Sequence, residues 1–163
     1  MTAVAYISLG SNIGPGVKTL TDALVAISGL KGVELGATSP MYLTKPVGYP
    51  DQSDFTNAVC AVRCSVTPQE LLIRLLEIEQ QFKRVRLFKN GPRTLDLDLL
   101  AFGDTVCDSP ELTLPHPRMQ DRAFVLVPLN DIASDYKVPK LNRTVYELLT
   151  ALPDQELRNV KKV

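Results

Sequence analysis

Net charge is the first thing this sequence lacks: 18 basic residues balance 18 acidic ones over 163 positions. That balance argues against a broad electrostatic footprint for nucleic acid, so any phosphate binding must come from local placement of a few cations. Cysteine is scarce. Cys60, Cys64 and Cys107 show no C-x-x-C spacing and are too few for a disulfide framework, which fits apolar filler in a reducing compartment. No apolar run approaches a membrane span, and the N-terminus has no basic region leading into an apolar core. A cytoplasmic protein with no membrane partner is expected. Asn142-Arg143-Thr144 matches a glycosylation sequon only by chance when no secretory signal accompanies it. Histidine occurs once, as His116. What the chain does have is 45% hydrophobic residues, enough for a single globular domain over 1–163 that buries roughly 70% of its unfolded surface.

The most informative stretch is Gly91-Pro92-Arg93-Thr94-Leu95-Asp96-Leu97-Asp98-Leu99-Leu100. From Thr94 onward polar and apolar residues alternate, the period of a strand with one buried face. Leu95, Leu97 and Leu99 therefore point to a core, and Asp96 and Asp98 point the other way, roughly 6.5 Å apart along the strand. Two such carboxylates repel unless a cation or proton lies between them. Mg²⁺ suits them, because it takes one or two protein carboxylates and completes its shell with water and phosphate oxygens. Arg93 could hold those phosphates with a two-pronged contact. An acidic edge strand facing solvent is the alternative reading of Asp-x-Asp alone. The same pair also serves metal-dependent nucleotide-sugar transferases.

Ala3 to Leu9 predicts a buried strand, and Val17, Leu20, Leu24, Ile27 and Leu30 predict an amphipathic helix with stops at Gly29 and Gly32. The glycines between them fit neither a P-loop nor a dinucleotide fingerprint. Val33 to Leu43 contains a second strand. Residues 44–54 are a long loop rich in turn formers, a candidate wall for a ligand. Phe55 to Cys64 alternates as a third strand, with Phe55 and Asn57 on one face, where an aromatic and an amide could meet a flat heterocycle. Thr67-Pro68-Gln69-Glu70 starts a second helix whose stripe is Leu71, Leu75, Ile78 and Phe82, widened by Leu72 and Leu76. A basic loop beginning at Lys83 then leads to the acidic strand, and 102–106 reads as a tight turn. His116 follows between Pro115 and Pro117. Pro128 interrupts the apolar run 123–129, Thr144 with Glu147 forms a capping box before a short helix through Leu148, Leu149 and Leu152, and Lys161-Lys162 is expected to fray. The order is α+β, a split βαββαβ arrangement: an antiparallel sheet with two helices on one face and C-terminal additions. RNA-recognition modules share that order, but they carry an aromatic-rich strand where this chain has carboxylates.

Together Leu9-Gly10-Ser11-Asn12, Gln52 to Asn57, Arg84-Val85-Arg86, Gly91 to Asp98, Leu114-Pro115-His116-Pro117 and Arg122 to Leu126 resemble the 6-hydroxymethyl-7,8-dihydropterin pyrophosphokinases of folate biosynthesis. The resemblance runs through nearly the whole chain. It implies a ferredoxin-like core, ATP and the hydroxymethyl pterin as small-molecule substrates, AMP as a product, two Mg²⁺ ions and a monomer. It also implies roles. Asp96 and Asp98 look like the metal ligands, and Arg84, Arg93, Asp96 and Asp98 the catalytic set. Glu79, Arg86, Arg93, Leu99, Thr113, His116 and Arg122 fall where ATP is bound, with Glu79 supporting the arginine loop. Thr44, Pro46, Val47, Phe55, Asn57, Arg93, Asp96 and Phe124 fall where the pterin is held, Phe55 and Phe124 sandwiching its ring. Lys83, Lys89-Asn90, Glu111 and Gln120 depart from the common pattern around the nucleotide.

Overall fold

The computed structural model describes residues 2–12, 15–45, 54–88 and 95–163, with backbone alone for 84–88. Strand β1 (Ala3–Ser11) is followed by α1 (Gly16–Ser28), which buries Leu20, Ala23 and Ile27 and ends where the Gly29 N–H bonds Val25 O and Ala26 O. Val17, expected on the buried stripe, is exposed because the face that α1 buries runs beside it, through Thr19, Leu20, Ala23 and Ile27. Gly16 is required at its position: a Cβ there would stand 2.2 Å from Thr56 Oγ1.

The single strand expected in 33–43 is two, β2 (Val33–Thr38) and β3 (Tyr42–Thr44). Pro40 has no N–H to continue a ladder. Ser39 bridges the break, donating its N–H to Val59 O and accepting the Val59 N–H on Oγ, so both strands pair with β4 (Phe55–Cys64). Helix α2 (Pro68–Phe88) starts on the expected cap, Thr67 Oγ1 accepting the Glu70 N–H at 3.1 Å. Leu71, Leu75 and Ile78 are buried. Leu76 does not widen that stripe, being 49% exposed on the outer side. The helix also continues beyond Phe82 through the basic stretch expected to be a loop. Residues 83–88 contain no glycine or proline, so nothing stops propagation before the Gly91-Pro92 pair.

Strand β5 (Asp96–Phe102) pairs antiparallel with β1, and β1 with β4, giving the order β10-β3-β4-β1-β5 with β2 alongside β4. Here β10 (Val160–Lys162) is the tail expected to fray. Instead it pairs with β3, Val160 opposite Thr44 and Lys162 opposite Tyr42, and Val163 N–H adds a bond to Met41 O at 2.9 Å. Lysines suit such an exposed edge, since their charge discourages pairing with another chain.

Between β5 and the tail come a hairpin of β6 (Cys107–Asp108) and β7 (Thr113–Leu114), a cis Leu114-Pro115 bond, a 3₁₀ turn (Met119–Asp121), α3 (Ala123–Ala133), a hairpin of β8 (Lys137–Val138) and β9 (Arg143–Thr144), α4 (Val145–Thr150) and α5 (Asp154–Arg158). Helix α3 runs through Pro128, which forfeits only one hydrogen bond, to the Phe124 carbonyl. The Thr144–Glu147 capping box is present, but α4 ends before Leu152.

Strand alternation sends residues of β1, β4 and β5 to two separate cores. Ile7, Leu9, Ala58, Cys60, Leu97 and Leu99 meet α1 and α2 on the inner face. Val59 and Leu100 meet Met119, Val125, Leu126, Leu129, Val145 and Leu148 on the other. A register shift between Tyr6 and Ile7 inserts Leu100 as an extra residue on β5, so that Phe102 rather than Ala101 returns to the inner core. The α+β sheet thus carries α1 and α2 on one face, with the C-terminal additions covering part of the opposite face. The uncovered part is the site.

Candidate active site

The uncovered half of that face is assembled by register. Tyr42 lies opposite Asn57, Asn57 opposite Gly10, and Gly10 opposite Asp96, so one row crosses four strands. Ser8 opposite Asp98 forms the next row toward α3, and Thr44 opposite Phe55 the row on the far side. Directly paired residues stand about 5 Å apart, which puts Asn57 and Asp96 about 10 Å from each other with only glycine between them. That bare centre matters: a Cβ at Gly10 would sit 3.1 Å from Asn57 Oδ1. Asn57 is itself buried and held, its Nδ2 donating to Thr44 Oγ1 at 3.0 Å.

A cleft of about 450 Å³ opens over this floor. The turn before α3 and the start of α3 supply a second wall with Arg118, Asp121, Arg122, Ala123 and Phe124. The Arg122 guanidinium lies over the Phe124 ring at 5.6 Å, close enough for a cation–π contact. Ser8, Gly10, Lys45, Glu156, Asn159 and Val160 complete the lining.

Asp96 and Asp98 both face the cleft. Partial burial raises the Asp96 pKa, and the Asp98 charge raises it further, against a pull from Lys83. Behind them, on the edge of β5, Glu79 Oε2 accepts the Leu97 N–H at 2.7 Å, the backbone group between the two aspartates. Burial raises the Glu79 pKa, the Leu97 N–H lowers it, and the aspartate charges push it up again. Its hydrogen-bond partner among the described residues is therefore the acidic strand. The side chains of Arg84, Arg86 and Arg93, which the resemblance gives Glu79 to support, lie outside the described residues.

His116 donates its backbone N–H to Leu100 O at 2.8 Å and accepts the Arg118 backbone N–H on Nδ1 at 3.2 Å. The neutral ring therefore carries its proton on Nε2. Burial lowers its pKa, Asp98 opposes that, and Arg122 and Arg118 add to the lowering.

Of the expected site residues, Thr44, Phe55, Asn57, Asp96, Asp98, Arg122 and Phe124 line the one cleft. His116 stands close enough to feel Asp98. Leu99 does not present its side chain, which is 4% exposed in the inner core, so only its backbone could meet a ligand. Thr113 lies on the β6–β7 hairpin and does not line the cleft. Pro46, Val47 and Arg93 lie outside the described residues, as do the side chains of Arg84 and Arg86. Sequence reasoning overlooked Gly10, whose signal was a glycine inside a strand pattern. It also overlooked Glu156 and Asn159, which have no local signal because long-range pairing brings them to the cleft.

Two carboxylates on one rigid strand face, repelling each other, fit hard divalent cations that draw their remaining ligands from phosphate and water. Among the described residues no group of three or more His, Cys, Asp or Glu forms a closed metal cage.

A family model for 7,8-dihydro-6-hydroxymethylpterin-pyrophosphokinase (HPPK) matches residues 6–134. A 2-amino-4-hydroxy-6-hydroxymethyldihydropteridine pyrophosphokinase of Synechocystis sp. is 45% identical over 145 residues, covering 89% of this chain and 74% of that one. One from Haemophilus influenzae is 43% identical over 153 residues, covering 94% and 95%. The folic acid synthesis protein fol1 of Pneumocystis carinii is 39% identical over 155 residues, and there the match spans 21% of the longer chain. Among solved structures, Plasmodium falciparum HPPK-DHPS with pterin and p-hydroxybenzoate superposes with a TM-score of 0.77 at 18% identity, over 99% of this chain and 45% of that one. That likeness shows the fold.

Proposed function

We propose, from the premise that the chain belongs to the 7,8-dihydro-6-hydroxymethylpterin-pyrophosphokinase family, that this cleft transfers the terminal pyrophosphate of ATP to the hydroxymethyl group of 6-hydroxymethyl-7,8-dihydropterin and releases AMP. Pyrophosphate transfer to the hydroxymethyl pterin in folate synthesis is the family's reaction. The donor, the metal and the residue roles are the proposal. The observation that carries it is the row Asn57–Gly10–Asp96: an amide, a bare floor and a carboxylate, spaced for a flat heterocycle with its alcohol at the acidic end.

Phe55 and Phe124 would enclose the ring, and Asn57 would read its hydrogen-bonding edge. Asp96 and Asp98 would hold Mg²⁺, which when bound offsets phosphate charge and makes the pterin alcohol easier to deprotonate. Transfer of this kind needs mainly positioning and charge stabilisation from the protein. Arg122 and Arg118, which line the cleft, would donate to phosphate oxygens, and the Nε2–H of His116 would offset charge on the leaving group. Arg84 and Arg93 would add to that field, and Arg86 would contact ATP. Glu79 acts through the backbone of Leu97, holding the two aspartates in register.

The deciding experiment measures AMP formed from ATP and Mg²⁺ with and without the pterin, for the wild type and for Asp98→Asn. Pterin-dependent AMP in the wild type, nearly abolished in a variant with unchanged circular dichroism, is expected. AMP formation indifferent to the pterin, or full activity in Asp98→Asn, would overturn the reading.

A further inference from the structure

Asp96 and Asp98 share a face of β5 but not a neighbour. Across the ladder Asp96 lies opposite Gly10, which has no side chain, whereas Asp98 lies opposite Ser8. Side chains facing each other across antiparallel strands have Cβ atoms about 4.5–5.5 Å apart, so a serine hydroxyl and an aspartate carboxylate placed there are within reach of one another. Ser8 is 6% exposed and lines the cleft, and its hydroxyl has no hydrogen-bond partner among the described residues.

A hydroxyl buried to this degree almost always has a partner. On its other side Ser8 pairs with Val59, which belongs to the second core and offers no side-chain acceptor. Asn57 and Asp96 are diagonal neighbours, about 7–8 Å away, so Asp98 is the nearest side-chain acceptor that the adjoining strands provide. A carboxylate that binds a cation is oriented by a donor to its remaining lone pairs, and a serine O–H is such a donor. Glu79 fixes the backbone between the two aspartates, at the Leu97 N–H, but not the way either side chain turns.

We infer that Ser8 is a positioning residue whose hydroxyl donates to the Asp98 carboxylate and holds it in the orientation that meets a divalent cation, an inference that rests on the cation-binding part of the pyrophosphokinase reading. The two aspartates then differ in kind. Asp98 is clamped from β1, and Asp96, over the bare floor at Gly10, is not.

The test is Mn²⁺ affinity, followed by electron paramagnetic resonance with a non-hydrolysable ATP analogue present, for wild type, Ser8→Ala and Ser8→Cys. Binding of 6-hydroxymethyl-7,8-dihydropterin in excess chelator is measured beside it. Both variants are expected to weaken Mn²⁺ about tenfold and to leave metal-free pterin affinity within twofold of wild type. Cysteine fills the space of serine but is a weak donor, so wild-type Mn²⁺ affinity in Ser8→Cys would mark mere packing and overturn the inference. Mn²⁺ affinity unchanged in Ser8→Ala, or an equal loss of Mn²⁺ and pterin from a loosened β1, would overturn it as well. A wild-type protein that adds nothing to the Mn²⁺ affinity of the analogue alone would instead overturn the cation reading beneath it.

Discussion

Gly10→Ala is the sharpest probe of the site, because its effects on folding and on binding separate. The added Cβ would lie 3.1 Å from Asn57 Oδ1, a few tenths of an ångström inside comfortable contact. Asn57 cannot simply swing away, since it is buried and its amide donates to Thr44 Oγ1 at 3.0 Å. Forced overpacking of this kind costs about 1–3 kcal/mol. Against it, alanine in a strand recovers roughly 0.5–1 kcal/mol of backbone entropy relative to glycine, and Gly10 is not among the positive-φ glycines, so the backbone accepts a side chain. Fold stability should therefore fall by about 0–2.5 kcal/mol. Binding has no such compensation. The methyl group raises the floor under the heterocycle, and losing about 1–3 kcal/mol there weakens the pterin about 5- to 150-fold. Equilibrium titration with the pterin, beside a urea unfolding curve, reads both quantities. Pterin affinity within twofold of wild type, in a variant that melts normally, would refute the placement of the ring over Gly10.

Three further substitutions test the supports of the site. Glu79→Ala should lower turnover several-fold more than it weakens either substrate, because it frees the Leu97 N–H and loosens the strand carrying Asp96 and Asp98; Glu79→Gln, which keeps an acceptor, should recover most of the rate in steady-state kinetics. Gly16→Ala should destabilise the fold by about 1–3 kcal/mol in chemical unfolding, and shaving Thr56 to alanine in the same chain should recover part of the loss. Tyr42→Phe removes a hydrogen bond to the Asp131 carboxylate and should cost about 1–2 kcal/mol at neutral pH. Burial, then the Asp131 contact, pushes the Tyr42 hydroxyl up to about 12 from the usual 10. A raised folded pKa means that this stability is complete below pH 10 and is lost as pH climbs toward 12, so the wild-type advantage in thermal melts should shrink over that window.

The local signals that proved readable were those whose cause lies within a few residues. Alternation from Leu95 to Leu99 does place leucines in the inner core and aspartates on the open face, because a strand's two-residue period leaves no other choice. The caps at Thr67 and Thr144 are likewise hydrogen bonds made to the third residue along. What escaped was set at long range. The tail from Val160 becomes a strand only because β3 presents a free edge far away in sequence. Leu76 matches the helical period of a buried stripe, yet α2 has neighbours on one side alone. The cleft residues themselves were found largely through motif resemblance, while Glu156 and Asn159 belong to no motif and reach the site through topology.

Strand β4 illustrates how tightly the chain is committed. Its ten residues serve three regions at once: Ala58, Cys60, Val62 and Cys64 face α1 and α2, Val59 faces α3, and Phe55 and Asn57 face the cleft. Inserting or deleting one residue would exchange every one of those assignments, burying an amide beneath α1 and lifting cysteines into the open. Chimeras built from diverged relatives should therefore inherit this strand whole from a single parent, with exchange points falling instead at exposed bends such as Pro110-Glu111.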